Sequence, residues 1–222
     1  MQTATSSRHI SIPLGKLELP GILTIPDRAT SIVIFAHGSG SSRFSTRNNY
    51  VAEVLQHRGF ATLLFDLLTE QEDQHRQNRF DIDLLTERLE QVTEFVATSP
   101  DTKDFAIGYF GASTGAASAL RAAAILENKI EAVVSRGGRP DLAMDHLALV
   151  KAPTLLIVGS LDELVIEWNQ EALEQLKSTK ELSIIDGASH LFSEVGKLEK
   201  VAWSAVEWFE RHLSKIEKFY EY

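Results

Sequence analysis

The sequence contains no cysteine, which excludes disulfides, thiolate metal sites and a cysteine nucleophile. It has no apolar run long enough to span a bilayer, and its first nine residues lack the apolar core of a secretory signal peptide. These absences predict a cytoplasmic protein with no membrane partner. What remains is 222 residues with 44% hydrophobic and 24% charged side chains, a composition typical of one globular domain over residues 1–222.

Basic side chains are outnumbered, with 22 Lys and Arg against 31 Asp and Glu and a formal net charge of −9. Duplex nucleic acids are bound through clustered Lys and Arg, which neutralise the phosphates. We therefore expect no nucleic-acid partner.

Strand-like and helix-like stretches alternate along nearly the whole chain. A hairpin is predicted at residues 10–13 and 17–25, and further strands at 31–36, 61–65, 105–110, 131–135, 152–158 and 181–185. Helices are predicted at 49–58, 80–98, 116–126, 142–149, 165–177 and from Leu198 onward. This alternation predicts an α/β fold, a mostly parallel sheet with helices on both faces.

Two further segments carry weaker expectations. The polar stretch 69–79 is expected to be an exposed loop or helix start whose charges face solvent. The final helix, which ends in residues 219–222, either packs on its own domain or forms a dimer contact, so the chain is expected to be a monomer or a homodimer.

A Gly-Ala-Ser-Thr-Gly motif at residues 111–115 lies between a strand-like run and a helix-like run. A sharp strand-to-helix turn with Ser113 at its apex lifts the hydroxyl out of the packed surface, and it needs small residues on either side. Gly111 and Gly115 satisfy that need. The motif predicts a nucleophile elbow, although a serine that only caps the helix would fit the same pattern.

A serine nucleophile needs a histidine base and a carboxylate that orients it. Asp162 follows the strand-like run 152–158, and His190 follows the run 181–185. The order Ser113, Asp162, His190 is the order of nucleophile-elbow enzymes. Glu163 and Asp186 are alternative acids, and Asp162 alone could be a turn residue or helix cap.

The negative charge that develops on a carbonyl oxygen during attack needs preorganised donors. We expect the backbone N–H of Thr114, which follows the nucleophile, and the backbone N–H of Ser39 to form this oxyanion hole. Ser39 lies in the His-Gly-Ser-Gly loop at 37–40, where Gly38 would let the substrate approach. A phosphate-binding role does not fit this segment, because it lacks the lysine of the Walker motif and the third glycine of the dinucleotide-binding motif.

Three arginines are candidates for substrate binding. Arg43 follows the glycine-rich loop and is expected to line the entrance, while Arg136 and Arg139 flank two glycines after a strand end. Arginine offers a planar fork of donors to a carboxylate or phosphate, so the substrate is expected to be anionic if these side chains bind it. The alternative is a surface ion pair with a nearby acid such as Asp141.

Asp66 follows the predicted strand 61–65. Its side chain is expected either to hold a neighbouring loop in place or to cap a helix or turn, and the second is favoured.

In these motifs and their order the sequence resembles the α/β-hydrolase superfamily, and most closely the dienelactone hydrolase family. The resemblance implies a three-layer fold with an eight-stranded, mostly parallel sheet whose second strand is antiparallel. It also implies hydrolysis of an ester or lactone. The sequence departs from that family in carrying Ser113 where the family has a cysteine. The segment 136–151 is too short for a cap domain.

The leading hypothesis is thus a serine hydrolase that cleaves small soluble carboxylic esters or lactones through an acyl-enzyme on Ser113. No cofactor and no metal are expected. A peptidase or thioesterase on the same scaffold is one alternative, and a non-catalytic ligand-binding protein of the same fold is the other.

Overall fold

The computed structural model describes residues 5–213. Eight strands form one sheet: β1 (Thr5–Leu14), β2 (Leu17–Pro26), β3 (Ser31–Ala36), β4 (Ala61–Phe65), β5 (Ala106–Ala112), β6 (Ala132–Arg136), β7 (Thr154–Gly159) and β8 (Lys180–Ile185). Seven α-helices accompany them: α1 (Thr46–His57), α2 (Glu70–Asp73), α3 (Ile82–Thr98), α4 (Thr114–Leu126), α5 (Met144–Leu147), α6 (Glu163–Gln175) and α7 (Lys197–His212). Short 3₁₀ turns lie at Arg76–Phe80, Glu127–Lys129 and Pro140–Ala143.

The sheet has the strand order β1-β2-β4-β3-β5-β6-β7-β8. Strand β2 runs antiparallel to both of its neighbours, β1 and β4, whereas all the other pairs are parallel. The predicted mostly parallel, eight-stranded sheet with an antiparallel second strand is therefore confirmed. Because strands β3 to β8 point the same way, their carboxyl ends and the loops that follow meet at one edge of the sheet.

Helices cover both faces of the sheet and bury two apolar layers. Helices α1 and α7 pack on one face, through side chains such as Leu55 and Trp208. Helices α3, α4 and α6 pack on the other, through side chains such as Leu89, Leu120 and Ala172. The central strands β3, β4 and β5 are buried along their whole length, as expected for strands covered on both faces. The structure thus has the predicted three layers.

Between β6 and β7 the chain forms only one 3₁₀ turn and the short helix α5, so no cap domain is present within the described residues. The stretch 69–79 is exposed or half-buried and forms α2 and most of a 3₁₀ turn, as expected of an exposed helix start. One of its charges also has a partner in the protein, since the Glu72 carboxylate pairs with the buried guanidinium of Arg88 on α3.

None of the helices within residues 5–213 has the length and apolar character needed to cross a membrane. The proposed dimer contact at residues 219–222 lies outside the described part of the chain.

Candidate active site

The predicted site residues gather at the carboxyl edge of the sheet, each delivered by a different strand. Ser113 follows β5, Asp162 follows β7 and His190 follows β8. The glycine-rich loop follows β3. Arg136 is the last residue of β6 and pairs in register with Ala112, the residue before the serine.

Ser113 is the apex of a strained strand-to-helix turn. Its φ and ψ are 52° and −120°, a region that residues with side chains rarely adopt. The turn leaves no space for larger neighbours. A Cβ added to Gly115 would lie 2.2 Å from the carbonyl oxygen of Ala36, and one added to Gly111 would lie 2.5 Å from the Cα of Ala116. The serine therefore occupies the elbow that the motif predicts.

We expect the substitution Gly115→Ala to destabilise the fold strongly, because the new methyl group would collide with backbone atoms of β3 that cannot rotate away. The cost should be about 3 kcal/mol or more, which lowers the melting temperature by roughly 6–12 °C for a chain of this size.

Gly21→Ala is the matched control. Its added Cβ would meet only side-chain ends, the nearest at 3.2 Å, so we expect a cost of about 1 kcal/mol. Equal melting temperatures for the two variants, measured by calorimetry, would contradict the close packing of the elbow.

Asp162 and His190 are joined by a hydrogen bond of 2.6 Å between the carboxylate Oδ2 and the imidazole Nδ1. Asp162 precedes the first residue of α6, yet its side chain forms no capping bond there. The side chain of Asp162 therefore does not cap the helix. Because Nδ1 faces the carboxylate, the tautomer that fits this contact carries its proton on Nδ1 and has Nε2 as the acceptor.

His190 and Ser113 line one cavity of about 230 Å³ at the sheet edge. Gly38, Ser39 and Leu191 line the same cavity. Among the residues that the structure describes, the imidazole makes its side-chain hydrogen bond to Asp162 and none to the Ser113 hydroxyl. Catalytic hydrogen bonds are often long without substrate and tighten in the complex.

The two expected oxyanion donors lie together. Thr114 is the first residue of α4, so its backbone N–H has no intrahelical acceptor. The Ser39 N–H donates to the Thr114 hydroxyl at 2.9 Å. This bond was not anticipated, and it ties the glycine-rich loop to the elbow. To bind another oxygen atom, the Ser39 N–H must either break this hydrogen bond or form a bifurcated one.

His37 supports that loop from beneath. Its Nδ1–H donates to the Gly38 carbonyl at 2.9 Å, and its Nε2 accepts from the Leu67 N–H at 3.0 Å. Burial lowers the pKa of the His37 imidazole, which keeps the ring neutral. His37 thus has a structural role beneath the loop.

Arg43, which the sequence placed at the entrance of the site, is not among the residues that line the cavity containing Ser113. Its guanidinium pairs with Asp66, which also accepts from the Arg43 backbone N–H at 2.6 Å, and it stacks on Phe44. Asp66 thereby holds the loop after β3, the role that the sequence had favoured less.

Arg139 also lies outside the cavity lining. It forms two hydrogen bonds with Asp141, at 2.9 and 2.7 Å, and stacks on the ring of Trp168 at 4.2 Å. The ion-pair alternative is therefore correct for Arg139. An arginine whose charge is already matched by a carboxylate has little left to offer a substrate anion.

Arg136 alone of the three candidates lines the cavity. Arg136 is only 6% exposed, and one of its guanidinium nitrogens lies 3.5 Å from Asn48 Oδ1. Burial, followed by the nearby charge of Arg47, lowers the pKa of Arg136 to about 10. It therefore remains charged at neutral pH.

Arg47, which sequence reasoning missed, lines the same cavity from the first turn of α1. Carboxylates are favoured in a first turn and cations disfavoured, because the helix dipole is positive there. The first turn of α1 contains no acidic residue. The sequence signal that could have indicated Arg47 is therefore a basic residue at a helix start that follows the glycine-rich loop.

No group of three His, Asp or Glu side chains is arranged for metal binding within residues 5–213.

Comparison with known proteins agrees with this geometry. A family model described as an alpha/beta hydrolase domain matches residues 29–219. A crystal structure of a dienelactone hydrolase from Anabaena variabilis is 55% identical, covers 95% of this chain and 99% of its own, and superposes with a TM-score of 0.93. A serine hydrolase of Xanthomonas campestris described as lacking a lid is 21% identical, covers 92% of this chain and 94% of its own, and has a TM-score of 0.75. The latter likeness concerns the fold.

A relative from Mycobacterium tuberculosis, provisionally named a phosphoribosyl transferase, is 55% identical over 205 residues, or 92% of this chain. The match spans 46% of that protein, so this chain covers about half the length of that relative. The extent of the family match, together with the elbow and the strand order, leads to one conclusion: the chain belongs to the α/β-hydrolase family.

Proposed function

We propose that the chain is a serine hydrolase that cleaves small carboxylic esters or lactones through an acyl-enzyme on Ser113. The observation that carries the proposal is that Ser113, at a strained elbow, shares a cavity with a histidine that Asp162 holds at 2.6 Å. A buried hydroxyl with no base nearby would be inert at neutral pH, whereas this arrangement supplies a base and its orienting acid.

The reaction proceeds in two halves. His190 Nε2 takes the proton of the Ser113 hydroxyl while Oγ bonds to the substrate carbonyl carbon, and the carbonyl π electrons move to oxygen. Collapse of this intermediate breaks the bond to the alcohol oxygen, which leaves with the proton from His190. Water then repeats the sequence on the acyl-enzyme, so the acid is released and Ser113 recovers its proton. Asp162 stabilises the imidazolium in both halves.

The backbone N–H groups of Thr114 and Ser39 bind the oxyanion in this proposal. Thr114 contributes a donor with no intrahelical partner. Ser39 contributes a second donor, whose N–H is hydrogen-bonded to the hydroxyl of Thr114, the residue after the nucleophile, at 2.9 Å. Release of that hydroxyl bond as the oxyanion forms would make the Ser39 N–H available when the charge develops.

The size of the site favours a small substrate. The cavity volume of about 230 Å³ is what about eight water molecules occupy in the liquid. The short β6–β7 connection supplies no cap over it. A peptidase usually needs a gating element to select its peptides, so the ester or lactone reading is favoured over peptide hydrolysis.

The name of the mycobacterial relative does not change this proposal. That name belongs to a protein of which this chain matches 46%. This chain itself carries Ser113, Asp162 and His190, which are groups for acyl transfer. We therefore propose hydrolysis for this chain and no phosphoribosyl transfer.

A substrate panel tests the proposal. Purified protein would be assayed with 4-nitrophenyl esters of two to eight acyl carbons, with the matching acyl-thioesters and with aminoacyl 4-nitroanilides. We expect turnover of short esters, weaker turnover of thioesters and none of the anilides. Preference for anilides would replace the proposal with a peptidase, and no turnover of any compound would favour a binding protein.

A further inference from the structure

Arg136 and Arg47 differ from the other arginines of the structure that have a buried, unbonded Nε. Five arginines within residues 5–213 share that feature. Three of them reach a carboxylate with another nitrogen, namely Arg43, Arg88 and Arg121. Arg47 and Arg136 form no ion pair with any described residue. Both line the cavity that contains Ser113.

A buried guanidinium without a counter-charge is costly, because its lost hydration is not replaced. Arg136 is such a group, and the half-buried Arg47 lies close enough that its charge disfavours the charge of Arg136. The partners that Arg136 does have, Asn48 Oδ1 at 3.5 Å and the face of the Phe192 ring at 5.9 Å, are neutral and do not supply a counter-charge. An arrangement of this kind is expected where an anion binds and supplies the missing charge.

The rest of the cavity wall fits an anion. None of the lining residues is acidic, although the whole chain has a net charge of −9. The N-terminus of the twelve-residue helix α1 lies at the wall through Ser45 and Arg47. The Asn48 N–H is capped by the Ser45 hydroxyl, and the positive end of the helix dipole favours negative charge there. The hydroxyl of Ser41 lines the wall as well.

We propose that Arg136, Arg47 and the N-terminus of α1 form a subsite for an anionic substituent of the substrate, a carboxylate or a phosphate. The inference rests on the proposed hydrolase function and specifies its substrate class: a small ester or lactone that carries a negative charge beside the reacting carbonyl. Arg136 and Arg47 bind that charge, and Ser113 attacks the ester.

Three esters separate the possible substituents. These are 4-nitrophenyl butyrate, which is neutral, 4-nitrophenyl hemisuccinate, which carries a carboxylate, and 4-acetoxyphenyl phosphate, which carries a phosphate. We expect kcat/KM for one of the two anionic esters to exceed that for the neutral ester by at least about 10-fold, as one charge-assisted hydrogen bond provides. The preferred anionic ester identifies the substituent.

The variants are Arg136→Met and Arg47→Gln, with Arg139→Gln as the matched control, since Arg139 has its own carboxylate partner outside the cavity. Either test variant should raise KM for the preferred anionic ester about 10- to 100-fold, a larger factor than the change it causes in kcat/KM for the neutral ester. Arg139→Gln should change neither. Because Arg136 is buried, Arg136→Lys is included, and it should restore part of the anionic preference by restoring the charge.

A binding measurement keeps this inference separate from the hydrolase proposal. Ser113→Ala protein would be titrated calorimetrically with inorganic phosphate and with succinate, with and without Arg47→Gln. Binding that Arg47→Gln weakens supports the subsite even if no ester is hydrolysed, in which case the hydrolase proposal alone fails. Hydrolysis of neutral esters with no anion binding, or equal losses on neutral and anionic esters in the variants, overturns the subsite alone.

Discussion

Replacement of Ser113 by alanine should lower kcat for a short ester by about 10⁴- to 10⁶-fold, the loss seen when a serine hydrolase loses its nucleophile. The hydroxyl of Ser113 is the atom that forms the acyl-enzyme in this account, and no cysteine exists to replace it. The remaining rate would come from the oxyanion donors and from substrate binding. Initial rates on 4-nitrophenyl acetate at high enzyme concentration measure the change.

Ser118→Ala is the control for this substitution. Ser118 is buried on the same helix, and its hydroxyl donates to the Gly115 carbonyl at 2.9 Å, away from the cavity lining. Its variant should retain activity within about threefold of the wild type, since local packing effects of this size are ordinary. Both variants should keep the wild-type circular dichroism spectrum. Full activity in folded Ser113→Ala protein would contradict the assignment of Ser113 as the nucleophile.

The second large effect is expected for Asp162→Asn, with a loss of about 10⁴-fold in kcat. The amide keeps the shape of the side chain at the 2.6 Å contact with His190 Nδ1. However, its NH₂ group can donate to Nδ1, which places the ring proton on Nε2 and removes the acceptor that the proposed mechanism needs for the Ser113 proton. The imidazolium would also lose its counter-charge.

Two other acids near the site serve as controls. Glu163 is an exposed residue at the start of α6, and the backbone carbonyl of Asp186, not its carboxylate, accepts a hydrogen bond from Lys197. Glu163→Gln and Asp186→Asn should each leave kcat within about threefold of the wild type. A larger loss in either of them than in Asp162→Asn would mean that the acid has been assigned to the wrong residue.

Much of the fold was predictable because its strands are strongly patterned. The strands predicted at 31–36 and 61–65 match β3 and β4 residue for residue, since both are continuous apolar runs. Strand β1 was predicted too short. Its first half, from Thr5 to His9, is polar and exposed. These residues belong to the strand because they pair with β2, and such pairing does not require the hydrophobic alternation by which a strand is predicted from the sequence.

The site was predictable only where one local motif carries the information. The elbow needs glycines at fixed spacing around Ser113, and the loops after β7 and β8 present their acid and base at positions that the topology prescribes. The arginines were different. Arg139 pairs with Asp141, which is only two residues away, so this contact could be predicted from the sequence. The burial of Arg136 instead depends on β5, α1 and Phe192. Contacts between segments so distant along the chain leave no trace in local sequence.

The same reason explains why Arg47 was missed. It lies 89 positions before Arg136 (136 − 47), and only the packing of α1 beside the sheet brings both to one cavity. The Ser39 N–H bond to the Thr114 hydroxyl also joins distant segments. Residues that are brought together only by such long-range packing cannot be paired from the sequence alone.

The most direct test of the central claim is the intact mass of the protein after exposure to a fluorophosphonate, which reacts with a serine only when a neighbouring base activates it. The account predicts one covalent adduct per chain, located on the peptide that contains Ser113. An unmodified protein, or an adduct on any other residue, would contradict an activated serine at the elbow.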